Sequence, residues 1–210
     1  MEITAFLVLI FVAKQDALAN FVWQKYRWSE VAILLDRSDA NLAMSIGNYY
    51  FNGGAYNLDI AQKAYKKAVI INPKISQGHY MLGRIAFIEG DFQIALKEIN
   101  SEIELRPEFP NTYYMLGLIN GYVGNFKTAA KNFSQFIEKV PTQWAGYNDL
   151  AWIQTKSRDF KEAEKTVQSA FDKIPGEKKR NSWLWTSLGV AQLNLREYDK
   201  AIGSFLAALA

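Results

Sequence analysis

The sequence predicts an all-α protein built from a repeated pair of helices, because the same residue types recur every 34 residues. Four of the chain's five prolines keep this period: Pro73, Pro107, Pro141 and Pro175. Four alanines keep it as well: Ala61, Ala95, Ala129 and Ala163. An independent aromatic set, each member preceded by Asp or Asn, agrees with both: Phe92, Phe126 and Phe160. Such a period indicates units that stack on one another to bury a shared core.

Each position of the period carries a residue type that a helix–turn–helix unit requires. The proline ends the second helix, because it has no amide hydrogen and disfavours helix in the residue before it. Small residues let the helices approach closely, and they recur at Gly83, Gly117 and Ala151. Turn formers and N-caps belong between the two helices. They occur at Gly90-Asp91, Gly124-Asn125 and Arg158-Asp159.

This pattern resembles the tetratricopeptide family, whose signature W-x2-L-G-x2-Y is followed by A-x3-F, A and P within one period. The best match is Tyr113-Tyr114-Met115-Leu116-Gly117, followed by Ala129, Phe133 and Pro141. The resemblance implies a right-handed superhelical solenoid of about five helix–turn–helix repeats preceded by an N-terminal helix. The repeats are predicted at 40–75, 76–109, 110–143, 144–181 and 182–210. Extra residues are expected in the turn Phe51-Asn52-Gly53-Gly54 and after Pro175, in 176–181.

Departures from the family pattern bear on packing and on partners. The small residue expected in the middle of the second helix is replaced by Glu102 and Phe136, so these two hairpins should pack differently from the family average. The last repeat stops before its proline position and has no polar capping helix, although solenoid ends need one. Either the chain is a fragment of a longer one, or Phe205, Leu206 and Leu209 meet a partner. Self-association through this repeat is one such expectation.

Residues 1–19 are predicted as an apolar anchor or signal segment. The apolar run Ile3–Ala13 has eleven residues, whereas a spanning helix needs about 20. Ala17-Leu18-Ala19 has the form of a signal cleavage site, but no basic residue precedes the run. Three interpretations stay open: membrane anchoring through residues 3–13, a cleaved signal, and a soluble helix packed on the first hairpin. Aromatic residues that follow are candidates for an interfacial belt, namely Trp23, Tyr26 and Trp28.

Residues 20–39 are predicted as a half-repeat that caps the first hairpin, with the array occupying 40–210. The reason is that Ala32-Ile33-Leu34-Leu35-Asp36 resembles the end of a later second helix, Ala68-Val69-Ile70-Ile71-Asn72. With an anchor, the chain resembles the single-anchor tetratricopeptide proteins common in bacteria. The expected location is then the membrane or cell envelope, with the cytoplasm as the alternative.

Composition argues against catalysis and against nucleic-acid binding. The 24 basic and 21 acidic residues leave a net charge of +3, which is too small for a phosphate-coating surface. The chain has no cysteine, and its single histidine is His79, interpreted as a packing residue. No phosphate-binding loop and no nucleophile motif are present in the sequence. We therefore expect no catalytic residue, no metal site and no cofactor.

The resemblance also implies a ligand site. In this family the first helix of each hairpin lines a concave groove, so groove residues can be assigned by position. They are Asn48, Phe51, Tyr80, Arg84, Phe87, Tyr114, Leu118, Asn148 and Trp152. Asn side chains suit the backbone of an extended peptide, and aromatic rings suit its side chains. Because Arg84 is the one cation of the set, an apolar ligand with at most one important carboxylate is expected.

The chaperone-binding members of the family capture an acidic C-terminus with a clamp of Lys, Asn and Arg. Only Asn48 matches that clamp, and Met44 and Met81 stand where a Lys and the second Asn are expected. The predicted function is a protein- or peptide-binding scaffold held at or near a membrane. The alternatives are the repeat tail of a larger membrane or envelope enzyme and a self-associating structural spacer.

Overall fold

The computed structural model describes residues 2–53, 55–176 and 181–209. These residues form α-helices, one π-helical segment and no β-strand, which confirms the all-α class. Gly54 and residues 177–180, in the two predicted insertions, lie outside the described set, as do the side chains of residues 2–10 of the predicted anchor. The chain divides into a first unit, 1–105, and a second unit, 106–210.

The first unit contains six α-helices in its described residues. They are α1 Glu2–Tyr26, α2 Ser29–Leu35, α3 Ala40–Asn48, α4 Leu58–Ile71, α5 Gly78–Glu89 and α6 Phe92–Leu105. The hairpins α3–α4 and α5–α6 each end where the sequence predicts a proline stop, since Pro73 and Pro107 follow within two residues. Asp39 and Asn57 begin α3 and α4 by accepting hydrogen bonds from the first backbone N–H groups of those helices.

Helix α1 runs unbroken across residues 19 and 20, and its second half packs on the first hairpin. Ala19 and Trp23 are buried in one cluster with Ala32, Leu42 and Ile46. Trp23 is therefore a core residue and the belt interpretation was wrong for it, whereas Tyr26 and Trp28 are exposed. Among the described residues, no helix combines the length and the apolar character that crossing a membrane requires.

Residues 51–53 of the predicted turn instead belong to a π-helical extension of α3. Residues Tyr49–Gly53 form this segment. A π-helix bonds residue i to residue i+5 and so absorbs an inserted residue without breaking the helix. Phe51 is buried as a result, and its ring centroid lies 6.5 Å from that of Tyr65.

The second unit contains three helical hairpins within its described residues. They are α7 Pro110–Tyr122 with α8 Phe126–Lys139, α9 Trp144–Lys156 with α10 Phe160–Lys173, and α11 Ser182–Asn194 with α12 Tyr198–Leu209. Its core runs through all three hairpins and includes Phe133, Tyr147, Val167 and Leu184.

Glycines on the first helix of a hairpin face a large side chain on the second. A Cβ atom built on them would lie 2.5–2.7 Å from the nearest atom of that side chain, so no other residue fits without movement. The pairs are Gly47 with Tyr65, Gly83 with Ile99, Gly117 with Phe133, and Gly189 with Phe205. In the fourth repeat Ala151 and the smaller Val167 hold the corresponding positions, and both are buried.

The turn within each later hairpin needs one left-handed residue. The backbone φ is +82° at Gly90 and Gly124, but +66° at Arg158 and +64° at Arg196. Glycine adopts this conformation freely, whereas a side chain makes it costly by about 1–2 kcal/mol. The two arginines therefore occupy positions for which glycine is better suited.

The structure explains both departures in the second helices. Glu102 is fully buried, and its Oε2 accepts a 3.0 Å hydrogen bond from the backbone N–H of Tyr80, near the start of α5. The carboxylate thus pairs with a backbone N–H of the first turn, which has no hydrogen-bond acceptor within the helix. Phe136 fills space that Gly146 of the next hairpin leaves, since a Cβ on Gly146 would lie 2.7 Å from the Phe136 ring.

Candidate functional site

The predicted groove residues fall on both units, five on the first and four on the second. In the first unit the Arg84 guanidinium lies 4.5 Å from the centroid of the Phe51 ring and 5.8 Å from that of Tyr80. Phe51 and Tyr80 are only 6% and 8% exposed, so these rings pack inside the unit. Arg84 makes cation–π contacts with both.

The other two predicted residues of the first unit are also engaged with neighbours. Asn48 is exposed, and its Oδ1 accepts a 2.8 Å hydrogen bond from the hydroxyl of Tyr65. The half-buried Phe87 ring lies 5.9 Å from the ring of Phe92, at the start of α6. Asn48 is thus the most accessible of the five, and its acceptor is already shared with a core tyrosine.

The second unit contains a cleft of about 730 Å³, a volume typical of clefts that hold part of a ligand, about 300–1,000 Å³. Three of the four predicted residues of this unit line it: Leu118 from α7, and Asn148 and Trp152 from α9. Helix α11 adds Trp183, Ser187 and Val190. The cleft is therefore formed by the first helices of three successive hairpins.

Tyr114, the fourth predicted residue of this unit, does not line the cleft but contacts residues that do. Its ring packs on Phe133 and Phe136, with centroid distances of 5.6 and 5.0 Å. Its hydroxyl donates a 2.6 Å hydrogen bond to Oδ2 of Asp149. Tyr114 thus positions a cleft residue.

A chain of hydrogen bonds joins the three helices at Asp149. The second oxygen of this carboxylate, Oδ1, accepts a 3.0 Å bond from Nδ2 of Asn148. Asn148 in turn accepts a 2.8 Å bond from the hydroxyl of Ser187 on α11. The amide of Asn148 is oriented by this pair of bonds, and it holds Asp149 in a defined position.

Asp149 carries a charge that no described cation neutralises. Burial raises the pKa of its carboxyl above 3.8, and the hydrogen bonds from Tyr114 and Asn148 oppose that rise. The basic residue among those that line the cleft is Lys156, whose Nζ lies 5.3 Å from the centroid of the Trp152 ring. The fixed charge of this cleft is therefore acidic, opposite in sign to that of Arg84.

Large aromatic side chains are exposed in the cleft. Trp152 is 47% exposed and Trp183 is 64% exposed. Gly121 leaves room beneath them, since a Cβ there would lie 2.9 Å from Ile153 and 3.8 Å from the Trp152 ring. Exposed indole rings that share a cleft are typical of surfaces that bury on a partner.

Assignment by groove position missed Asp149 and Ser187. Asp149 lies one residue after the assigned groove position Asn148, and the signal that would have found it is its spacing of three residues before Trp152 on α9. In the described residues, no group of three or more His, Asp or Glu side chains could hold a metal ion. His79 lies on α5, and its Nδ1 is 2.6 Å from Oε2 of Glu98 on α6.

Residues 114–178 match the family model described as tetratricopeptide repeat. No curated protein sequence is significantly similar to the chain. Among solved structures, MamA 41-end from Desulfovibrio magneticus RS-1 is 18% identical, with a TM-score of 0.71 over 81% of this chain and 93% of that one. YrrB, described as a tetratricopeptide protein with an unusual peptide-binding site, is 16% identical, with a TM-score of 0.68 over 87% and 91%.

PilF of Pseudomonas aeruginosa is similar in fold, at 14% identity and a TM-score of 0.67 over 92% of this chain and 88% of that one. These TM-scores show a shared fold, and the matched segment includes the signature pair Leu116-Gly117 of the third repeat. The matched segment and the helical hairpins agree in showing the fold of tetratricopeptide-repeat proteins such as YrrB.

Proposed function

We propose that this protein is a scaffold that binds an extended segment of another protein in the cleft of the second unit. The observation that carries the proposal is the exposure of Trp152 and Trp183 in one cleft beside the oriented carboxylate of Asp149. Apolar rings around a few placed polar groups are the usual composition of a recognition cleft. The similarity in fold to YrrB, whose description includes a peptide-binding site, agrees with a peptide ligand.

The binding test uses peptides displayed on phage and selected on the immobilised full chain, followed by titration of the selected peptides. Trp152→Ala should weaken binding by at least about 2 kcal/mol if the indole is an anchor, while the helical circular dichroism spectrum stays unchanged. Tyr198→Ala is the matched control, because Tyr198 is a similarly exposed aromatic residue outside the cleft. The proposed site would be contradicted if both variants lost the same amount of affinity, or if the selected peptides bound Trp152→Ala as tightly as the wild type.

We propose in addition that α1 contacts a membrane surface without crossing it. The exposed face of α1 alternates apolar and basic side chains three or four residues apart: Phe11, Lys14, Leu18, Phe21 and Lys25. This composition suits the headgroup region of an anionic bilayer. Co-sedimentation with phosphatidylserine vesicles should be lost in Phe21→Ser and should fall with salt. If the protein sedimented only with neutral vesicles, or with no vesicles, contact of α1 with an anionic membrane surface would be contradicted.

The last hairpin supports self-association as another candidate. Ile202, Leu206 and Leu209 on α12 are exposed in the described chain, and an exposed apolar face can be buried against a second copy. Light scattering over a range of protein concentrations measures this association, and Leu206→Glu should shift the protein to monomer. A monomer at every concentration would contradict self-association through α12.

A further inference from the structure

Asp149 presents a negative charge that no basic side chain pairs with in the part of the chain that the structure describes. Its carboxylate accepts hydrogen bonds from the hydroxyl of Tyr114 and the side-chain amide of Asn148. A partly buried charge is unfavourable unless a partner pairs with it. The carboxylate is held from two sides, so its orientation is set before a ligand arrives.

The acceptor capacity of Asp149 is only half used. Each carboxylate oxygen can accept two hydrogen bonds, and each here accepts one from the protein. One acceptor position therefore remains on each oxygen. Two neighbouring free acceptors on a fixed carboxylate match the paired donors of a guanidinium.

The adjoining aromatic surface already accommodates a cation. Trp152 lies one helical turn after Asp149 on the same face of α9. The ammonium of Lys156 lies 5.3 Å from its ring centroid. Lys156 is exposed and its side chain is long and flexible, so an incoming cation can displace its ammonium from the Trp152 ring. A guanidinium also stacks on an indole face better than an ammonium does.

Charge complementarity decides between classes of ligand. An acidic segment would place like charges together at Asp149. A purely apolar segment would cover Asp149 and remove its remaining water without supplying a donor, which costs binding free energy. A basic residue supplies both the charge and the donors, and its aliphatic stem covers the indole rings.

We infer that the cleft of the second unit selects a basic residue of the bound segment, arginine in preference to lysine, with its guanidinium on Asp149 and its stem on Trp152. This inference rests on the proposed peptide-binding function and specifies the side chain that the site selects. It also distinguishes the cleft from the acid-binding clamp of the chaperone-binding members of the family.

The test uses four pools of heptapeptides that are random except for a central Arg, Lys, Gln or Glu, titrated against the full chain by fluorescence anisotropy. The Arg pool should bind at least about tenfold more tightly than the Gln pool, followed by Lys, with Glu the weakest. Asp149→Asn should remove the Arg-over-Gln preference. Lys156→Gln, which deletes the internal competitor, should strengthen Arg-pool binding severalfold, an effect that a purely structural role for Asp149 does not produce.

The outcomes separate the inference from the function on which it rests. Equal binding of all four pools, lost in Trp152→Ala, overturns the inference and leaves the peptide-binding function in place. Binding of no pool contradicts both. Because Asp149→Asn can alter the hydrogen bonds of Tyr114, circular dichroism and Tyr114→Phe serve as controls. Tyr114→Phe keeps the charge and should keep the Arg preference, with weaker affinity.

Discussion

The hydroxyl oxygen of Tyr114 lies 2.6 Å from Oδ2 of Asp149, 35 residues further along the chain. The bond ties α7 to α9, so a residue predicted as a ligand contact contributes to the packing of two hairpins. Tyr114→Phe should lower the free energy of unfolding by about 1.5–3 kcal/mol, the contribution of a hydrogen bond to a charged group. Urea denaturation of the two proteins measures the difference. A change within error would mean that water replaces the phenol without cost.

The stability of the protein should respond to the titration of Asp149. Burial raises the pKa of this carboxyl above 3.8, so in the window just above that value the folded state binds more protons than the unfolded state. Stability contributed by this group therefore falls as pH rises through the window, up to the raised pKa of the folded state.

The measurement compares wild type with Asp149→Asn from pH 3 to pH 7, by chemical denaturation at each pH. Wild type should lose stability relative to the variant as pH rises. The opposite slope would mean that the hydrogen bonds from Tyr114 and Asn148 outweigh the effect of burial.

Close approach of α7 to α8 should depend on the absence of a side chain at Gly117. A Cβ there would lie 2.6 Å from the Phe133 ring, so Gly117→Ala should destabilise by about 1–3 kcal/mol, and Gly117→Leu by more. The fourth repeat pairs Ala151 with Val167 at the same positions. Gly117→Ala combined with Phe133→Val should therefore be less destabilised than the sum of the single changes. Strict additivity in thermal or chemical unfolding would show that the two positions do not compete for space.

The turn between α9 and α10 should be improved by glycine. Arg158 has φ of +66°, and its counterparts one and two repeats earlier are Gly124 and Gly90. Arg158→Gly should raise the free energy of unfolding by about 0.5–1 kcal/mol, because the left-handed cost exceeds the entropic cost of glycine. Gly124→Ala is the reverse control and should destabilise. A loss of stability in Arg158→Gly would point to contacts of the arginine side chain that outweigh its backbone strain.

Much of the fold was predictable because its signals are local and periodic. The prolines after α4, α6, α8 and α10 end helices through chemistry confined to one or two residues. The 34-residue period of these prolines alone predicts the all-α class. For residues 51–53 the predicted turn was wrong, because a π-helix and a loop can each hold an insertion and only the packing of Phe51 on Tyr65 distinguishes them.

The candidate site was predictable only in part. Position within a first helix selected Leu118, Asn148 and Trp152, which line one cleft. The same rule selected Phe51 and Tyr80, which are buried under Arg84. Groove position specifies a helix face, but it does not specify how far neighbouring side chains cover that face.

By itself, therefore, the sequence determined the repeat of this protein: the length of the repeat, its two helices, and the small residues that let those helices pack closely. Those properties depend on backbone chemistry repeated at a fixed interval. Only the tertiary structure decided which charge the cleft presents. Asp149 acquires its character from Tyr114 on α7 and from Asn148, which Ser187 on α11 holds in place. The pKa of a carboxyl depends on burial and on donors that folding brings within hydrogen-bond distance, and sequence position alone does not encode that distance.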